Sequence, residues 1–87
     1  MSKETNLKFP CVFPIKVMGN TGIDFEGKVI AIIRKHVPDL GEGAIKSRFS
    51  KDGNYQSLTI TINAQSKEQL DAIYQDLKKE KEVLVSL

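Results

Sequence analysis

The stretch Asp52-Gly53-Asn54-Tyr55-Gln56-Ser57-Leu58-Thr59-Ile60-Thr61-Ile62-Asn63-Ala64 decides the fold. Successive side chains of an extended chain point to opposite faces, so Leu58, Ile60, Ile62 and Ala64 share one face, and Tyr55, Ser57, Thr59, Thr61 and Asn63 share the other. This is a strand with one face in a core. The Asp52-Gly53 pair before it predicts a hairpin, because a tight turn needs a positive φ that glycine adopts without steric penalty. On the upstream side of that turn Ile45, Ser47 and Phe49 alternate with Lys46, Arg48 and Ser50, which predicts a half-buried partner strand.

Working outward toward the N-terminus, residues 11–18 predict a first strand with Phe13, Ile15 and Val17 inward. Pro14 lacks a backbone donor, which places it at an unpaired side, a bulge or a strand end. Gly19, Asn20, Thr21 and Gly22 are read as the connection that ends this strand, and Thr21 with Asp24 as the capping signal of a helix. Asp24 and Glu26 suit the positive end of its dipole. Phe25, Val29, Ile32 and Ile33, with His36 or Val37, form its apolar stripe, and Pro38 closes it. Toward the C-terminus, Ser66 with Gln69 is a capping box opening a second helix with the stripe Leu70, Ile73, Tyr74 and Leu77. Residues 83–87 predict a last strand with Val83, Val85 and Leu87 on one face and Leu84 on the other. The order βαββαβ folds most simply into a ferredoxin-like α+β sandwich, a four-stranded antiparallel sheet in the order 4-1-3-2 with both helices on one face. Residues 1–8 are polar and aperiodic and are expected to be a flexible leader, with a single domain over residues 9–87.

Eighty-seven residues suffice for one small core and no more. Thirteen Lys and Arg against eleven Asp and Glu leave a net charge of +2, and the two signs are interleaved along the chain, so no strong pull toward nucleic acid or membrane is expected. The single Cys11 cannot close an internal disulfide, the opening residues are too polar for a signal peptide, and no run reaches a membrane span. A cytoplasmic protein is the expectation.

The candidate residues for chemistry are few. The uncovered sheet face carries Lys16, Met18, Lys46, Arg48 and Tyr55, but the third strand lacks the spaced aromatic residues on which RNA-recognition domains stack bases. An acylphosphatase would need an arginine in the first loop, and that loop has none; a metal-chaperone relative would need Cys-x-x-Cys there, and Cys11 and His36 alone cannot build a tetrahedral site. Neither metal nor cofactor is expected. His36 is read as a residue at a helix end, and Cys11 as a small buried hydrophobe, so no catalytic residue is assigned. Gly19, Asn20, Thr21 and Gly22 are a candidate ligand site, because amides at a helix start can receive a small anion; the same glycines also serve a plain tight turn.

Phe9-Pro10 through Lys16-Val17-Met18-Gly19, Gly53-Asn54-Tyr55 with the strand at residues 57–62, and Glu68-Gln69-Leu70 followed by Ile73-Tyr74 and Leu77 resemble the YbeD-like family, small bacterial proteins of unknown function. The resemblance implies the same βαββαβ fold, similar to the ACT regulatory domain appended to phosphoglycerate dehydrogenase, and a bacterial cytoplasmic setting. It brings no catalytic residues. ACT domains bind amino acids between two copies beside the first loop, which corresponds here to residues 19–22, although the longer acidic, proline-containing loop is absent. The expected function is a non-enzymatic regulatory or protein-interaction domain. The alternatives are an amino-acid sensor of ACT type and an RNA-binding module. A protein partner is expected, and so is a homodimer through the edge of the last strand or through the open sheet face.

Overall fold

A computed structural model describes residues 8–22 and 24–87; residues 1–7 of the leader expected over residues 1–8, and Ile23, lie outside the described residues. Strand β1 (Cys11–Asn20) is followed by helix α1 (Phe25–His36), a 3-10 turn (Glu42–Ala44), β2 (Ile45–Phe49), β3 (Tyr55–Ala64), α2 (Lys67–Lys78) and β4 (Val83–Ser86). All three strand pairings are antiparallel and the sheet order is β2-β3-β1-β4, as the alternation and connection rules predict.

The core lies between one sheet face and the two helices. Ile15 and Val17 from β1, and Leu58, Ile60, Ile62 and Ala64 from β3, meet Phe25, Val29, Ile33 and Val37 from the first helix region and Leu70, Ile73 and Leu77 from α2. Leu40, from the loop after α1, closes one end. Burial of this kind contributes about 1.5–3 kcal/mol for each large aliphatic side chain, which makes the shared sheet–helix layer the main source of stability.

Local chemistry at two junctions matches the sequence. Gly53 takes φ +78° at the hairpin, the loop closes with Ser50 N–H donating to Tyr55 O at 2.9 Å, and the Asp52 carboxylate accepts from Ser50 Oγ and Asn54 N. Ser66 Oγ accepts from Gln69 N at 3.1 Å, and the Gln69 side chain reaches back to accept from Gln65 N at 2.7 Å, so the capping box closes one residue further out than usual.

Four expectations are corrected. First, β1 does not end at Met18: β3 starts at Tyr55 and supplies partners for two more residues, pairing Gly19 with Gln56 and Asn20 with Tyr55. Second, Thr21 does not cap α1: its backbone N–H bonds to Asn54 O, which keeps it with the sheet three positions before the N-cap, and Asp24 occupies the N-cap position with no cap bond from its side chain. Third, β2 is an edge strand that the helices cover only at Ile45, which leaves Phe49 61% exposed although it shares the inward parity. Fourth, the β1–β4 register shifts between Met18 and Gly19, so that Met18 pairs with Val85 and Gly19 with Val83. This bulge leaves Leu84 over and separates Val83, half-buried against the core, from Val85 and Leu87 on the open face.

Candidate functional site

The open face of the sheet is built from side chains of one parity on each strand. Two cross-strand rows define its middle. Arg48, Ser57, Met18 and Val85 form one, from β2 to β4. Lys46, Thr59 and Lys16 form the next, extended by Leu87, whose backbone exchanges hydrogen bonds with Lys16 in both directions at 2.9 and 2.7 Å. The short side chains of Ser57 and Thr59 on β3 lie between longer ones on β1 and β2, so the face is hollowed along β3. One concavity of about 250 Å³ is bordered by Lys16, Met18, Arg48, Val85 and Leu87, and a second of about 410 Å³ by Met18, Arg48, Phe49 and Tyr55. They share Met18, Arg48 and Ser57 and so form one trough.

The four sequence-derived residues of this face, Lys16, Lys46, Arg48 and Tyr55, are all exposed on it. The structure adds Val85 and Leu87, which the bulge turns outward. It also shows a charge arrangement hidden in the linear order. None of the described Asp and Glu residues lies on this face; they occupy the helices, the hairpin and the connections. Signs interleaved along the chain are therefore separated in space.

The candidate ligand residues of the first connection are split. Asn20, Thr21 and Gly22 are exposed, whereas Gly19 is buried within the sheet against the Phe25 ring and the Glu82 carbonyl. The adjoining start of α1 carries Asp24 and Glu26, which offset its positive dipole end.

Three polar constellations escaped the sequence reading. Gln56, 4% exposed, has the inward parity of Leu58 and donates through Nε2 to Glu26 Oε1 at 3.1 Å and Ser47 Oγ at 2.9 Å, tying α1, β2 and β3 together. Glu80 and Glu82 adjoin each other below Lys28 Nζ, at 3.8 and 3.3 Å from it. The hydrogen bond between the two carboxyls holds Glu80 above the usual range and Glu82 below it, with Lys28 further lowering Glu82. His36 Nε2 meets Asp76 Oδ2 at 2.7 Å, joining α1 to α2 across forty positions of sequence. Cys11, expected to be buried, is half-buried at the core margin.

The His36 hydrogen bond, aided by charge from Lys35, holds the Asp76 carboxyl below the ordinary aspartate value of 3.8. A carboxyl depressed in the folded state adds stability above its unfolded value, and that stability is lost as pH falls through the folded value. Asp52, held down by Ser50 and Asn54, acts in the same sense. Unfolding midpoints in urea should therefore drop as pH is lowered below about 4, and Asp76→Asn should flatten that drop. An unchanged acid limb in Asp76→Asn would remove Asp76 from the account.

A concavity of about 370 Å³ beside His36, Leu40, Asn63 and Gln69 is lined by polar groups that already serve the fold: Gln69 Nε2 donates to the His36 carbonyl at 3.0 Å. Among the described residues no group of three or more His, Cys, Asp and Glu is placed to hold a metal ion, and no helix is long and apolar enough to cross a membrane.

These features define a small ferredoxin-like α+β domain with one bare sheet face. The fold matches the solution structure of protein HP0495 from H. pylori, with a TM-score of 0.72 at 14% identity over 94% of this chain and 86% of that one. It also matches the ACT domain from GTP pyrophosphokinase of Chlorobium tepidum, with a TM-score of 0.60 at 19% identity over 88% and 83%. The chain belongs to the family described as "Protein of unknown function (DUF493)", whose model matches residues 4–87, and the resemblance to the YbeD-like family fits that membership. Its relatives include UPF0250 proteins of Nitrosomonas europaea, 42% identical over 88% of both chains, and of Neisseria meningitidis serogroup C, 41% identical over 99% of this chain and 94% of that one. Neither the family nor the fold points to catalysis.

Proposed function

We propose that this protein is a non-enzymatic regulatory or interaction module whose working surface is the open sheet face. One observation carries the reading: among the described residues neither helix exposes a large apolar side chain, whereas Val12, Met18, Tyr55, Val85 and Leu87 are all exposed on that face, the last four by 45–70%. Single exposed apolar residues are ordinary, but grouped ones on one uncovered face mark an interaction surface. The likeness to an ACT domain supports a regulatory setting, and by analogy an amino-acid sensor at Asn20, Thr21 and Gly22 is the second reading.

Immobilised protein should retain partners from bacterial extract that a Met18→Ser/Val85→Ser variant of unchanged melting temperature no longer retains. Equal retention by both proteins would overturn the reading. An amino-acid panel in a thermal-shift assay addresses the sensor, since a ligand at 100 times its dissociation constant adds about 2.7 kcal/mol of stability.

A further inference from the structure

We infer that the trough along β3 receives an extended peptide segment in which acidic residues alternate with aliphatic ones; the inference rests on the reading of the open face as the working surface. The two walls of the trough differ in kind. On the β2 side Arg48 borders the trough, and Lys46 stands next to it on the same face, two positions away on one strand and therefore about 7 Å along it. On the β1 and β4 side stand Met18, Val85 and Leu87, with Lys16 beside them. Lys16, Lys46 and Arg48 form no ion pair within the described protein, and no acid of the described residues shares their face.

An extended chain lying in the trough directs alternate side chains to opposite sides at the same spacing of about 7 Å. Carboxylates on one side then reach Lys46 and Arg48, and aliphatic side chains on the other cover Met18, Val85 and Leu87. A second copy meets this surface poorly. Face to face, the three cations would oppose the like charges of an identical face, with no acid among the described residues of either face to offset them. Face to helix, they would meet a surface of mixed sign, Arg34 and Lys35 on α1 beside Glu68 and Asp71 on α2, with no exposed large apolar side chain among the described residues there to cover Met18, Val85 and Leu87. Single-stranded RNA would use aromatic platforms spaced along the face, whereas the aromatic residues of the trough, Tyr55 and Phe49, both stand at one end of it and the rest is lined by aliphatic, basic and short polar side chains.

The test is amide chemical-shift titration of the whole protein at low salt with a short synthetic peptide alternating Glu with Val or Leu, its Lys-for-Glu counterpart, and a short single-stranded RNA. The acidic peptide should shift the amides of residues 18, 48, 57, 59 and 85, lose at least about tenfold in affinity with Arg48→Glu, and keep its affinity with Lys78→Ala. The Lys peptide should be silent. Absence of shifts from the acidic peptide at about 1 mM, with extract retention intact, overturns the peptide class and leaves the interaction reading standing. Shifts from RNA alone, or shifts of the same amides on concentrating the free protein, overturn it in favour of nucleic acid or of a second copy. Loss of extract retention by the wild type takes the interaction reading down with it.

Discussion

Gly19→Ala is expected to lower the melting temperature by on the order of 15 °C, since among the described glycines it is the one whose added methyl group collides with its neighbours. Gly19 has the inward parity of Ile15 and Val17, so its new Cβ would enter the helix layer, where the Phe25 ring and the Glu82 carbonyl oxygen already stand well inside contact distance. Neither can yield cheaply. Phe25 opens α1 and is 1% exposed, and the Glu82 oxygen is backbone on the way into β4. Overpacking typically costs 1–3 kcal/mol and more where the neighbours are fixed, and about 3 kcal/mol corresponds to roughly 12–24 °C in a domain of this size. Gly27→Ala is the control: its Cβ meets nothing within 4 Å on an exposed helix position, so it should stabilise by about 0.5–1 kcal/mol. Thermal unfolding by circular dichroism reads both, and a Gly19→Ala protein melting within about 3 °C of wild type would contradict the packing described for α1 and β4.

Phe25→Ala should cost about 3–5 kcal/mol, since it empties a fully enclosed site at the junction of α1 and the sheet. The informative measurement is the double variant. With the ring gone, an alanine at position 19 loses one of its two obstacles and retains the Glu82 carbonyl, so the two losses should sum to more than the double variant shows, with a coupling of about 0.5–3 kcal/mol. Urea unfolding of the four proteins gives that term directly. Strict additivity would mean that Cβ and ring do not compete for the same space.

The parts of the fold that depend on periodicity were legible. The alternation over residues 55–64, the Asp52-Gly53 turn and the Ser66–Gln69 cap each appear in the structure where the residues require them. Strand order followed from connection rules applied to that order of elements. What escaped was set by tertiary neighbours. Phe49 alternates like a core residue, yet the helices stop short of the end of β2. Gln56 reads as polar, yet its parity buries it, and Glu26 and Ser47 satisfy it from 30 and 9 positions away. The His36–Asp76 bond and the Lys28–Glu82 pair join segments with no local signal between them. Of the candidate surface, Lys16, Lys46, Arg48 and Tyr55 were readable from parity, whereas Val85 and Leu87 required the bulge.

That bulge bears on how the protein changes over generations. Along β1 and β3, odd and even positions answer to different demands, and on β2 a substitution at residue 46 or 48 can change the charge of the open face without disturbing Ile60 or Leu58 behind it. The open face and the core are in this sense separately mutable. At the β1–β4 junction the two alphabets cross: Val83 serves the interior and Val85 the exterior with a single unpaired residue between them, and Gly19 is hemmed in from behind. Variation of the open face therefore has free play on the β2 side of the trough, and on the β4 side it is tethered to the survival of the fold.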